Sequence, residues 1–155
     1  MYKSLFCALF VLISTALIHA SPDPFVGKWN LDVRSSIYPP GTCPKSMTIE
    51  MRQAGSGVWY QSATAYKNGA AMHAEYTARY DGKQAMVRTE RGFLLPVSLA
   101  RIDARTVEAS YSRGFQVVAT SRRVVSPDGK TMRITTISKD ATGRNVKTVG
   151  IYKRT

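Results

Sequence analysis

Histidine and cysteine are scarce in this chain, at two each, and ten acidic side chains stand against twenty-two lysines and arginines. Setting aside the first twenty residues leaves one histidine, His73, and one cysteine, Cys43. A lone histidine cannot build a triad, a dyad or a histidine-based metal centre, and a lone cysteine cannot close an intrachain disulfide. The few carboxylates are equally uninformative. Glu75 and Glu108 fall opposite arginines on outward strand faces, while Glu50, Asp81, Asp103 and Asp128 read as strand-surface or turn residues. No paired acid–base device is expected. The sequence therefore points away from an enzyme and calls for no metal or cofactor. Helical periodicity is also missing after Ala20.

What is present begins with a leader. Lys3 supplies a positive start, Leu5 to Leu17 is almost wholly apolar, and Ala20 ends the segment with a small residue. These are the parts of a signal peptide, and the apolar run is shorter than the ~20 residues of a membrane span. The expected division is a signal peptide over residues 1–20 and one domain over residues 21–155, placed in the periplasm or secreted. The formal net charge of +12, of which Lys3 carries one unit, favours polyanions or anionic membrane surfaces but says nothing of fold.

Short apolar–polar alternations recur along the domain, cut by Asn68-Gly69, Asp81-Gly82, Arg113-Gly114, Asp128-Gly129 and Thr142-Gly143. That spacing predicts a meander of hairpins. About ten strands are expected, starting near Gly27, Ser46, Val58, Ala71, Lys83, Val97, Thr106, Phe115, Thr131 and Arg144. Residues Arg34 to Ser46 form one long irregular connection. The fold class is an all-β, antiparallel up-and-down β-barrel of about 8–10 strands.

Turn lengths set which side chains face inward. Two-residue turns at Asn68-Gly69 and Asp81-Gly82, a four-residue loop at Asp103–Thr106, a two-residue turn at Arg113-Gly114 and a three-residue loop at Pro127–Gly129 give a consistent interior. It reads Trp59, Ala63, Ala65, Met72, Ala74, Tyr76, Ala78, Tyr80, Ala85, Val87, Ala100, Ile102, Val107, Ala109, Tyr111 and Val118. Alanine dominates, which in a wide barrel leaves a cavity and in a narrow one allows close packing. The same registers put Glu75 opposite Arg88 and Arg101 opposite Glu108 outside, and send Arg122 inward from two hairpins. A guanidinium inside a barrel needs an anion or acceptors. Arg122 is thus the expected receptor for a ligand's acidic head, with Tyr76, Tyr111 and Thr120 as helpers. Met72, Tyr80, Ala63 and Ala74 complete the lining. The alternative is that Arg122 satisfies backbone carbonyls or water, or that a bulge turns it outward.

Phe25-Val26-Gly27-Lys28-Trp29 opens the domain and Gly150-Ile151-Tyr152-Lys153-Arg154 closes it. This resembles the calycin group, the lipocalins and fatty-acid-binding proteins, with their opening F-x-G-x-W pattern. The resemblance implies that Trp29 packs across the base of the barrel with Arg154 or Lys153 stacked on it, a contact worth roughly 0.5–2 kcal/mol. The chain departs from fatty-acid-binding proteins where their Arg-x-Tyr falls, which here reads Gly150-Ile151-Tyr152. Their two helices after the first strand are not expected either, because Arg34 to Ser46 is too rich in proline, and the second lipocalin signature, T-D-Y, is missing.

The resulting expectation is an exported, lipocalin-like binding protein for a small apolar or amphipathic, acidic ligand. The alternative is a basic interaction module that binds anionic lipid or polysaccharide through its surface, using outward residues such as Tyr60, Tyr66, Phe115 and Arg123. Nucleic acid is not an expected partner of an exported chain. A monomer is expected, with Cys43 either inert or linking a second copy.

Overall fold

The structure, a computed structural model, describes residues 22–90 and 92–155. The expected leader lies outside the described residues. Twelve strands form one antiparallel sheet: β1 Gly27–Leu31, β2 Ser46–Ala54, β3 Gly57–Ala65, β4 Ala71–Arg79, β5 Asp81–Ala85, β6 Arg88–Thr89, β7 Gly92–Phe93, β8 Val97–Asp103, β9 Thr106–Arg113, β10 Gln116–Val125, β11 Thr131–Lys139 and β12 Asn145–Arg154. Each expected strand is found, and β6 and β7 add a two-residue hairpin. A short 3-10 turn at Val33–Ser35, capped by Asp32, lies within the long connection after β1.

The order is β5-β8-β9-β10-β11-β12-β1-β2-β3-β4-β6-β7. Residues 81–89 occupy the seam between β4 and β8. The first half of that run pairs with β8, and Arg88 in the second half pairs with Glu75 of β4. The sheet therefore closes into a barrel with one split seam. First and last strands meet, with Trp29 opposite Arg154.

One end of the barrel is solid. Phe25, Trp29, Ile49, Met51, Val58, Val97, Leu99, Val107, Val125 and Met132 are almost fully buried there. Arg154 closes this base. Its guanidinium carbon lies 4.2 Å above the Trp29 ring, and it donates to the carbonyls of Gly129, Val26 and Pro24 at 2.6, 2.6 and 2.5 Å. Gly27 makes this possible, because a Cβ there would run into Arg154 Nη1, and its φ of 136° suits glycine alone. The glycine and tryptophan of F-x-G-x-W are thus two halves of one clamp. A second arginine, Arg101, pairs with Asp23 at 2.5 Å and lies 4.0 Å from the centre of the Tyr80 ring.

Several faces differ from the sequence expectation, each through a one-residue change. The β3–β4 connection is the three-residue loop Lys67–Gly69 between a paired Tyr66 and Ala70, so Ala65 meets Ala71 and Tyr60 meets Tyr76. Val58, Tyr60, Ser62 and Thr64 point inward, while Trp59, Ala63 and Ala65 belong to the outer face. An irregularity between Arg101 and Asp103 turns Val97 and Leu99 into the core and leaves Ala100 and Ile102 exposed. It also sets Glu108 opposite Ala100 rather than Arg101. The expected alanine-lined interior is therefore corrected to one of valine, leucine, methionine and tyrosine at the base, grading into serine, threonine and tyrosine above.

Candidate functional site

Arg122 is the central correction. It is exposed, and its neighbour Arg123 is the arginine inside the barrel, at 3% exposure. Two independent shifts produce this. The β9–β10 turn is Gly114-Phe115 rather than Arg113-Gly114, which moves the register by two and keeps parity. A bulge between Val117 and Ala119 then adds one residue and inverts every face beyond it, so Ala109 meets Ser121. On the other side, Pro127–Lys130 makes a four-residue loop between Ser126 and Thr131, and Val125 rather than Val124 meets Met132. Thr120 goes outward with Arg122, and Ser121 comes inward with Arg123.

Above the solid base the barrel opens into a cavity of about 250 Å³. Tyr38, Tyr60, Tyr66, Tyr111 and Tyr152 line it with Met47, Ile49, Met72 and Ile134. Thr64, Ser121, Thr136 and Thr148 add small hydroxyls, and Arg123 forms part of the wall. Gly150 also lines it, because a Cβ there would come 2.7 Å from the Tyr152 ring and 3.1 Å from the Tyr38 hydroxyl. Bulky aromatic side chains thus narrow the mouth without filling it.

Arg123 donates from Nη1 to the Tyr76 hydroxyl at 2.8 Å and from Nη2 to the Tyr111 hydroxyl at 3.3 Å. Its guanidinium carbon is 5.0 Å from the centre of the Tyr60 ring, which stacks on Tyr76 at 4.7 Å. Among the described residues it has no carboxylate partner, and Nε is buried with no hydrogen-bond acceptor. Arginine cannot shed its charge in a protein. A cation is therefore held in the barrel by two neutral phenols and a π-face, with acceptors for two of its five N–H groups and none for Nε–H. Burial pushes the Tyr60, Tyr76 and Tyr152 hydroxyls above their ordinary range, so they remain protonated. Tyr76 and Tyr111 accept from Arg123 and so keep their own O–H protons to donate elsewhere.

Of the other residues expected at the site, Tyr76, Tyr111 and Met72 stand at or beside the cavity, Met72 at its rim. Ala74 is buried in the β4 core. Tyr80 sits at the opposite end, its hydroxyl donating to Asp23 at 3.2 Å. Ala63 is outside. Trp29 and Arg154 form the base described above. Sequence reasoning missed Tyr38, Tyr60, Tyr152, Thr64 and Thr136, and the alternation Tyr60-Ser62-Thr64 is the signal that marks the wall. Among the described residues no cluster of histidine, cysteine and carboxylates is fit to hold a metal.

The geometry defines a β-barrel with a closed base and a polar-walled cavity, the architecture of the calycin-like barrels. No protein-family model matches the chain, and no curated protein matches it in sequence. Among solved structures it is similar to the zebrafish ileal bile acid-binding protein, crystallised with cholic acid. The TM-score is 0.57 at 16% identity, covering 85% of this chain and 99% of the other. At that identity the likeness is one of fold.

Proposed function

We propose that this protein binds a compact amphipathic acid in the barrel cavity, with the acidic group received by Arg123. The observation that carries the reading is the buried Arg123, which faces the cavity without a counter-ion and with Nε–H unsatisfied. A buried charge left so is costly, and a carboxylate or sulfonate in the cavity would offset the cost by pairing with the guanidinium and accepting the phenol protons. Tyr60, Tyr152, Met47 and Ile134 supply apolar contact for the rest of the molecule. The volume lies a little under the roughly 300–1,000 Å³ of sites for drug-sized ligands, which favours a compact acid or one whose tail leaves through the mouth. The barrel shared with a protein crystallised with cholic acid supports the same ligand class. The leader-like residues 1–20 support an extracytoplasmic location.

The test is fluorescence titration with anilinonaphthalene sulfonate, an apolar probe with one strong acid group, and its displacement by aromatic and short-chain carboxylates. Arg123→Met keeps an unbranched stem, ends short of the guanidinium, and removes the charge. The reading expects at least a tenfold loss of affinity in Arg123→Met with the circular dichroism unchanged. Equal affinity in both proteins would place the probe elsewhere and end the proposal.

A further inference from the structure

The strand registers place the turns β3–β4, β9–β10 and β11–β12 at one end of the barrel, around the cavity mouth. That rim carries exposed apolar side chains. Phe115, at the tip of the β9–β10 turn, is as open as a free side chain at 110% of its reference area. Val117 and Leu94 are about half exposed, and they lie close together. Val117 is opposite Ser112, and Ser112 N–H donates to Pro96, two residues beyond Leu94. Ile137, on the outer face of the neighbouring β11, extends the patch.

Basic charge predominates around it. Arg113, Lys139, Arg144 and Lys147 are exposed on β9, β11, β12 and the β11–β12 turn. Two acids stand at this end, each held by a neighbour: Asp140 by Arg144 at 3.4 Å in the β11–β12 turn, and Glu90 by His73 at the β6–β7 hairpin. Apolar tips inside a basic collar match a surface that is hydrocarbon behind an anionic face. Burial in a protein partner would suit a flatter patch than a lone phenylalanine at the apex of a two-residue turn.

We infer that this rim docks on an anionic lipid bilayer, with Phe115 and Leu94 entering the interface and the four basic side chains lying on the headgroups. The docking does not need a ligand in the cavity, so it stands or falls apart from the function proposed above.

The test is co-sedimentation of the whole described domain with vesicles of phosphatidylcholine alone and of phosphatidylcholine mixed equally with phosphatidylglycerol. Binding is expected to the mixed vesicles only, to weaken with salt, and to fall about fivefold for each basic residue neutralised, as in Lys139→Gln. Phe115→Asp should abolish binding, while Ile102→Asp, at a half-exposed apolar site at the opposite end, should leave it intact. Phe115→Trp should show a blue shift of its emission on the mixed vesicles. The inference is overturned if the protein ignores mixed vesicles at low salt, or if Phe115→Asp and Ile102→Asp bind alike. Binding to a soluble anionic polysaccharide that equals vesicle binding and survives Phe115→Asp would assign the face to polyanions and overturn it as well. Titration of Phe115→Asp with the sulfonate probe keeps the two proposals apart, because cavity binding should be unchanged.

Discussion

Arg123 of β10 and Tyr76 of β4 meet across the inside of the barrel, Nη1 donating to the phenol oxygen at 2.8 Å. The two strands share no hydrogen-bond ladder, so this contact is one of the few that tie opposite walls above the solid base. Tyr76→Phe removes the acceptor and leaves a buried guanidinium N–H unmet. The expected cost is about 1–3 kcal/mol in urea unfolding. Tyr111→Phe, whose oxygen lies at 3.3 Å and nearer the mouth, should cost less. The reverse order would assign the anchor to the wrong tyrosine.

The base clamp makes a separate prediction. Arg154→Met strands the carbonyls of Pro24, Val26 and Gly129 and removes the cation from Trp29, for an expected loss of about 2–4 kcal/mol. Arg154→Lys should recover little, because one ammonium cannot reproduce the planar fork that reaches three acceptors. Gly27→Ala should destabilise through the same clamp, since its Cβ takes the guanidinium's place. Denaturant midpoints of the three variants check this, and a full rescue by lysine would refute the clamp.

Stability at alkaline pH follows from the tyrosines. Burial, with Asp23 beside it, pushes the Tyr80 hydroxyl from its ordinary value of 10.0 up to about 12. Burial also raises Tyr38, Tyr60, Tyr76 and Tyr152. A group with a raised folded pKa stabilises fully below its unfolded value and loses that contribution as pH climbs through the folded value. The unfolding free energy should thus be level below about pH 10 and decline between about 10 and 12. The tyrosinate absorbance should show these phenols ionising late, in step with loss of structure. Ionisation of every tyrosine near pH 10 in the folded protein would contradict the burial described here.

Gly150→Ala tests the shape of the mouth. The added methyl meets the Tyr152 ring at 2.7 Å, and that ring is buried. Overpacking of this kind costs about 1–3 kcal/mol. The displaced ring should also shrink the cavity, so probe affinity and stability should fall together.

The strands and their order around the meander were legible because glycine turns punctuate them. Glu75 opposite Arg88 was legible too, as an ion pair of favourable sign, and it is found at 3.9 Å. Inside and outside were harder to read, for a physical reason. A cavity walled by Tyr60, Thr64, Ser121 and Thr136 is polar where a filled core would be apolar, so the alternation that marks a core strand marks this one backwards. On β10 both faces carry an arginine, and the residue types cannot choose between Arg122 and Arg123. Only the bulge near Val118 and the fourth residue of the Pro127–Lys130 loop decide, and each is a local backbone feature without a unique sequence sign. The two errors reinforced each other and moved the buried charge by one position. The idea of a buried arginine meeting an acid carries over; the residue that holds it does not.

The central claim concerns the Arg123 guanidinium. In a proton–nitrogen correlation spectrum, the Arg123 Nε–H should appear as a protected side-chain resonance, assigned by its loss in Arg123→Met. On titration with anilinonaphthalene sulfonate it should move downfield and saturate together with the probe's fluorescence, as the N–H gains an acceptor. If the probe binds and the Nε–H and Nη–H resonances of Arg123 all stay where they were, Arg123 does not receive the acid.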